Sequence, residues 1–319
     1  MKWQFAFVMS AVAVVSGSQA AYPDRPIRLI VPYAPGGNID ITARTIAPGL
    51  GEALGTQIVI DNRGGAGGTI GSELAAKSAP DGYTLLMGSS GTLATAQALY
   101  PRLGFSPLKD FAYTSLVSVV PLVAVTNPAL PAKNVKELID LAKSRAGRVT
   151  MGSAGTGTSN HLTGELFQSM THTKLVHVPY KGSGPALVDL MGGQIDMIFD
   201  QLSASIGHIQ SGKLGALAVT TLKRSTLMPS VPTMDEAGLK GFEASTSTGI
   251  VLPAATPREH VKHLHAALVK VLRQPATRDS FARLGAEVLE STPDEFDKLM
   301  RSETAKWTKV VREAGVKID

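Results

Sequence analysis

The chain has no cysteine in its 319 residues. That excludes a disulfide framework, a thiolate zinc site, a cysteine nucleophile and the lipid-bearing cysteine of an anchored lipoprotein. Aromatic residues are scarce, at 5%, and the basic residues are scattered rather than gathered into a stripe, which argues against a nucleic-acid surface with stacking rings. Long apolar runs are missing too. Beyond the first twenty residues the most apolar stretch, Leu116 to Val125, is broken by Pro121 and is too short to span a bilayer. No set of His, Asp and Glu has a metal-binding spacing, and no cofactor motif is complete.

What is present begins with a leader. Lys2 gives a short positive start, Phe5 to Val15 are almost unbroken apolar sequence, and Ser18-Gln19-Ala20 supplies the small residues that a signal peptidase reads. Residues 1–20 are therefore read as a secretory signal cleaved after Ala20 or Ala21, which with the absent cysteines points to a bacterial periplasm. The remainder, 44% apolar and 18% charged over the whole chain, is ordinary for a globular protein and long enough for two domains with cores. The formal charge of +5 falls to +4 without Lys2. Such a field can draw in an anion or serve only solubility.

Short Val/Ile/Leu-rich runs alternate with helix-like runs. Strands are predicted at 27–32, 57–61, 83–88, 122–126, 149–152, 175–179, 195–199 and 214–219. Helices are predicted at 43–54, 70–77, 135–144, 161–170, 186–191 and 203–210. That alternation gives an α/β fold with mainly parallel sheets and helices on both faces. The C-terminal part is helical. Thr256-Pro257-Arg258-Glu259 and Thr292-Pro293-Asp294-Glu295 both read as capping boxes. Val261, Leu264, Leu268, Val271 and Leu272 share one helical face after the first box, and Phe296, Leu299, Trp307 and Val310 follow the second. Two stretches, Leu116 to Pro128 and Ser245 to Pro257, read as strands crossing between lobes. They divide the mature chain into a discontinuous first lobe, 21–123 with 246–319, and a second lobe, 124–245, hinged at the crossings.

Glycine loops recur at the strand ends: Pro35-Gly36-Gly37-Asn38, Gly64 to Gly68, Gly88-Ser89-Ser90-Gly91-Thr92, Gly152 to Ser159, and Tyr180-Lys181-Gly182-Ser183-Gly184. In open α/β sheets ligands sit beyond the carboxyl ends of the strands. Each following helix opens with unpaired N–H groups and the positive end of its dipole. Any one such loop is ordinary turn composition; five together suit a cleft for an anion, most simply a carboxylate. Asp40 and Asp200 stand at the same strand ends, either to accept a hydrogen bond from a ligand or to fix local structure. His161 either contacts a ligand or caps its loop. His263 and His265 read as surface residues.

Competing motifs fail on detail. Gly65-Ala66-Gly67 has Ile70 where a dinucleotide loop needs its third glycine, and the next strand brings no acid for a ribose. Gly212-Lys213 lacks the remainder of a phosphate-binding loop, and no serine is framed as Gly-x-Ser-x-Gly. A triad assembled from distant residues is left open, because triads are defined by geometry.

The blocks "VPYAPGGNIDITAR", "IVIDNRGGAGGTIG", "APDGYTLLMGSSGTLA", "GSAGTGTSNHLTGELF", "VPYKGSGPALVDLMGGQIDMIFD" and "GKLGALAVTTLKRS…PSVPTMDEAG" resemble, in order and spacing, the Bug family, the periplasmic solute receptors of tripartite tricarboxylate transporters. The likeness runs from about Tyr22 to Ile318. It implies a two-lobed type II periplasmic-binding-protein fold that closes on a small carboxylate, held by backbone amides, hydroxyls and water rather than by an arginine clamp. Carried over position by position, the first-lobe site is Tyr33, Pro35, Gly36, Gly37, Asn38, Ile39 and Asp40 with Ser89, Ser90 and Thr92. The second-lobe site is Gly155, Thr156, Thr158, Ser159 and His161 with Tyr180, Lys181, Gly182 and Asp200. One departure stands out: Asn38-Ile39 replaces the small hydroxyl residue or proline, then threonine or serine, that many relatives carry, so no relative's particular ligand is carried over.

The expectation is thus a monomeric receptor, without cofactor, that captures a small organic acid and presents it to the membrane subunits of a tripartite tricarboxylate transporter. The alternatives are a secreted α/β hydrolase-like enzyme and a receptor feeding a membrane signalling partner.

Overall fold

A computed structural model describes residues 22–100 and 102–314; the expected leader, residues 1–20, lies outside them. The chain runs β1 (Ile27–Val31), α1 (Asn38–Leu54), β2 (Ile58–Asn62), α2 (Thr69–Ala76), β3 (Thr84–Ser89), a π-helical turn over Gly91–Thr95, α3 (Ala96–Leu99) and the long β4 (Phe111–Thr126). It continues through α4 (Val135–Ser144), β5 (Thr150–Ser153), α5 (Ser159–Thr171), β6 (Val176–Pro179), α6 (Ser183–Met191), β7 (Met197–Gln201), α7 (Leu202–Gln210) and β8 (Gly215–Val219). The return is by β9 (Ser245–Pro253), α8 (Arg258–Leu272), α9 (Pro275–Arg283), β10 (Glu287–Val288) and α10 (Pro293–Ala314).

The strand order is β2-β1-β3-β9-β4-β7-β5-β6, with β8 and β10 also pairing β4. The outer strands are parallel, as the βαβ alternation requires: β2-β1-β3 on one side and β7-β5-β6 on the other. The shared middle is antiparallel, because β4 leaves the first lobe and β9 comes back. β4 belongs to both lobes. Its Phe111–Pro121 part pairs β9, and Leu122–Thr126 pairs β7 and β8. Pro121, which lacks an N–H to give a ladder, falls opposite Ser245 where the partner changes. Val119, Val120 and Pro121 pair Ser247, Thr246 and Ser245 at the change of lobe, so both crossings lie side by side.

Three large cores and one small cluster hold these layers among the described residues. One packs α1 and α8 onto the first sheet and continues under α6 and α7 through Ile198 and Leu202. A second, around Leu138, Phe167, Phe199 and Phe242, fills the outer face of the second lobe. The third gathers Leu86, Phe111, Val251 and Phe296 beneath α10. Each buried Leu or Phe contributes about 1.5–3 kcal/mol by leaving water. The predicted α8 face is real: Leu264, Leu268, Val271 and Leu272 are buried and Val261 is half-buried. Phe296 is buried with Leu299 packed beside its core, while Trp307 packs against the separate cluster of Leu99, Leu162 and Val311; the side chain of Val310 lies outside the described residues.

The two capping boxes fare differently. At α10 the Glu295 N–H donates to Thr292 Oγ1 at 3.2 Å and the Thr292 N–H donates to Glu295 Oε2 at 2.8 Å, a complete reciprocal box. At α8 the Thr256 hydroxyl donates instead to the Pro253 carbonyl at 2.7 Å, and α8 starts with no side-chain cap. His265, expected at the surface, is half-buried with Nδ1 3.1 Å from the Thr114 carbonyl, whereas His263 is exposed.

Candidate functional site

Three helices begin at one place. α1 opens at Asn38 after Gly37, α5 at Ser159 after Thr158, and α6 at Ser183 after Gly182, and none has a side-chain cap. Their first-turn N–H groups have no intrahelical acceptor and project from the helix end. Three positive dipole ends therefore face one spot. Gly37 and Gly182 bring no side chain to cap α1 and α6, and the Thr158 hydroxyl, which could cap α5, donates instead to the Gly155 carbonyl at 2.7 Å.

Between them lies a partly open cavity of about 20 Å³, above the ~10–15 Å³ that a water needs on the same kind of measure. From the expected set, Tyr33, Gly37, Asn38, Ile39 and Ser89 line it from the first lobe, and Thr158 and Ser159 from the second. Ala154, Asn160, Ser183, Gln201 and Thr246 also line it and were not among the expected positions. Ala154, Asn160 and Ser183 sit inside the glycine loops already picked out, and Gln201 follows Asp200 directly. Thr246 had no signal beyond lying in a crossing strand. No charged side chain lines the cavity. The Tyr33 hydroxyl donates to the Gly67 carbonyl at 3.1 Å; burial pushes its pKa up to about 12 against a pull from Ser89, so it stays a neutral donor.

The remaining expected positions stand behind the wall or at the seam. Asp40 is turned away from the cavity: its carboxylate accepts from the Gly36 N–H (3.0 Å), Arg44 Nε (3.0 Å) and Asn62 Nδ2 (3.0 Å), while Asn62 Nδ2 also donates to the Tyr33 carbonyl. Burial raises its pKa, but the Arg44, Gly36 and Asn62 hydrogen bonds outweigh that and hold it below the usual carboxylate value. Asp40 thus shapes the Tyr33–Gly37 loop. Thr92 does the same for Ser89, accepting its N–H at 3.0 Å, and Ser90 is buried beside it.

His161 caps its own loop, with Nδ1 accepting from the Gly157 N–H at 3.1 Å and its ring stacked 4.0 Å from His177. Asp200 is fully buried behind Asn160, which donates to Oδ1 at 3.1 Å, and its Oδ2 completes no hydrogen bond. Burial raises this carboxyl to about 7, and the nearby Ser183 hydroxyl, Gln201 amide and Asn160 lower it only in part.

Pro35, Gly36, Gly155, Thr156, Lys181 and Gly182 form the seam between lobes, and Tyr180 stands just behind it in the second lobe. The Ala34 N–H donates to the Lys181 carbonyl at 2.8 Å, Tyr100 Oη to the Thr156 carbonyl at 3.0 Å, and Thr95 Oγ1 to the Gly157 carbonyl at 2.9 Å. Tyr180 Oη donates to Asp189 at 2.7 Å, away from the cavity. These bonds span the two sheets, so this is the closed form. The seam also explains several glycines better than ligand approach does: a Cβ on Gly67 would lie 2.2 Å from the Thr156 oxygen.

Among the described residues one serine–histidine hydrogen-bonded pair stands out, Ser153 Oγ and His177 Nε2 at 2.6 Å. Burial and the neighbouring His161 depress His177 to about 4, against a pull upward from Glu165. No carboxylate among the described residues bonds to it, and Ser153 Oγ also accepts the Gly155 N–H at 3.1 Å. The pair, a buried serine and a half-buried histidine, props the 153–158 loop. Among the described residues no His, Asp and Glu group could hold a metal, and no helix is long and apolar enough to cross a membrane.

Two α/β lobes on shared crossing strands, closed over a cavity ringed by helix N termini, define a solute-binding protein of the type II periplasmic kind. BugT of Bordetella pertussis is 41% identical over 98% of this chain and 96% of its own length. The structure of the periplasmic binding protein BugD superposes with a TM-score of 0.90 at 38% identity, covering 93% of this chain and 99% of that one. A protein of R. palustris solved with adipate gives 0.90 at 35% (93% and 99% covered). MatC of Rhodopseudomonas palustris with bound malate gives 0.88 at 34% (91% and 100%). The profile of the tripartite tricarboxylate transporter family receptor, TctC, matches residues 42–316. The chain belongs to that family.

Proposed function

We propose that this protein is an exported receptor, freed of residues 1–20, that captures a small carboxylate between a lobe of 21–123 with 246–319 and a lobe of 124–245. It then presents that ligand, as a monomer, to the membrane subunits of a tripartite tricarboxylate transporter. The observation that carries the reading is the convergence of three uncapped helix starts on a cavity without a charged side chain. One carboxylate there receives backbone N–H bonds and dipole stabilisation from both lobes at once, which favours closure. A micromolar affinity requires about −8 kcal/mol, within reach of a few charge-assisted hydrogen bonds in a dry cleft. The adipate and malate complexes of the two relatives support the ligand class, and the family supports the transporter and the periplasm.

The test is a thermal-shift screen on mature protein unfolded and refolded to strip carried ligand. The panel holds mono-, di- and tricarboxylates, acidic amino acids, aromatic acids, neutral sugars and peptides. The expected result is a concentration-dependent rise in melting temperature with a set of acids and none with the neutral compounds. Stabilisation by neutral compounds alone, or by none, would sink the reading.

A further inference from the structure

We infer that Asn38 selects the ligand by donating a hydrogen bond from its side-chain amide to a neutral acceptor oxygen, a carbonyl or hydroxyl, on the ligand's tail. The inference rests on the carboxylate-receptor reading and adds the second half of the ligand to it.

Three amide side chains line the cavity, and two are already committed. Asn160 Nδ2 donates to the Phe199 carbonyl at 2.8 Å and to Asp200, and Gln201 Nε2 donates to Thr246 Oγ1 at 3.0 Å. Asn38 differs. Its Oδ1 accepts the Ser203 hydroxyl of the second lobe at 2.7 Å, while Nδ2, on a residue only 2% exposed, has no partner. An unpaired buried donor is costly; in closed protein with ligand, the ligand is the group placed to satisfy it. Ser203 fixes which way the amide points, so the donor is set only when the lobes have met. The Ser159 and Ser183 hydroxyls can rotate to give or accept and impose no such choice.

The acceptor is neutral because of what surrounds it. With no cationic side chain on the cavity wall, a second carboxylate facing one amide would be desolvated without a counter-charge. A carbonyl or hydroxyl oxygen has no such penalty. Ile39 beside it gives the rest of the tail an apolar wall.

The experiment titrates refolded protein with butanoate and pentanoate, with the four- and five-carbon acids bearing an oxo or hydroxy group at carbon 2, 3 or 4, and with succinate. It is run on the wild type, Asn38→Ala, Asn38→Asp and Ser203→Ala, each first shown to melt within a few degrees of wild type without ligand. In the wild type one oxygenated acid should bind about tenfold more tightly than its plain counterpart. Asn38→Ala should erase that ratio while leaving the plain acid within about threefold. Asn38→Asp, which puts an acceptor where the donor stood, should invert it for an oxo acid but not for a hydroxy acid, whose O–H can turn to donate, and Ser203→Ala should narrow it. A ratio that survives Asn38→Ala, equal loss for plain and oxygenated acids, or a wild-type preference for succinate over both would overturn the inference while leaving the receptor reading intact. Wild type that binds no acid would overturn the receptor reading and this inference with it.

Discussion

Gly184, in the first turn of α6, meets the Pro35 carbonyl oxygen of the opposite lobe so closely that a Cβ at this position would lie 2.2 Å from that oxygen. The contact is backbone against backbone and exists only when the lobes are shut. Closure in this protein is therefore set by what its loops leave out as well as by what they present.

Gly184→Ala separates stability from binding. The substitution removes a helix glycine whose φ is not in the left-handed region, which favours the unliganded fold by up to about 1 kcal/mol. The same methyl blocks the closed seam. The melting temperature without ligand should hold or rise while affinity by calorimetry falls at least about tenfold, or 1.4 kcal/mol. Unchanged affinity would show that the lobes bind ligand without this contact.

Asp40→Ala acts on the loop rather than on the ligand. The carboxylate is 4% exposed and holds Gly36, Arg44 and Asn62 together, so its removal should cost about 2 kcal/mol by denaturant titration. Affinity should fall with it because Tyr33 to Gly37 lose their anchor. Asp40→Asn, which retains an acceptor for the Gly36 amide, should recover part of both.

A buried carboxyl, Asp200, and a half-buried imidazole, His177, pull stability in opposite directions across one pH range. Asp200 has a folded pKa near 7, above its ordinary value of 3.8, so the folded state holds the extra proton and stability declines as pH rises from about 4 to 7. His177 has a folded pKa near 4, below 6.5, so stability declines as pH falls from about 6.5 to 4. Together they flatten the wild-type profile. Melting curves of Asp200→Asn should show the acid-side loss unmasked, and those of His177→Gln should show stability growing as pH drops toward 4. Parallel profiles for all three proteins would refute the assignment.

The two threonines of the C-terminal helices should rank by what they bond. Thr292→Ala breaks a complete box and should cost about 1 kcal/mol. Thr256→Ala loses one hydroxyl bond to a Pro253 carbonyl that still accepts the Thr256 N–H at 3.0 Å, so about 0.5 kcal/mol is expected. Equal losses would mean that Thr256 caps α8 after all.

Much of this architecture could be read from residue pattern. α4 occupies the predicted Val135–Ser144 because Asn134 caps it and its apolar period is clean. The crossing strands were legible from Pro121 and the Ser/Thr-rich approach to β9. The π-helical turn and α3 were hidden because Gly91 and its polar neighbours look like one more glycine loop. The residue pattern places the start of α1 at Ala43, five residues late, since Asn38, Ile39 and Asp40 are poor helix formers held there by the N terminus they create. In the site, composition located the loops but not the direction each residue faces. Asp40 and Asn38 are two residues apart, yet one props the loop and the other meets the cavity. Which neighbour turns inward depends on how two distant loops meet, and no local pattern carries that.

The strand order also fixes when each half of the molecule can be completed. Every strand that pairs with β5, β6, β7 or β8 lies between Phe111 and Val219, and Thr233, which bridges to Val219, also precedes β9, so the second lobe has its whole sheet in hand before β9 is available. The first lobe does not: β3 waits for β9, with Ser89 pairing Thr248 far along the chain, and α10 seals its core last. Long-range pairing of this kind is slow to form. A nascent chain would thus carry a finished second lobe beside an open sheet edge, and the half that supplies Asn38 to the cavity is the half that matures last.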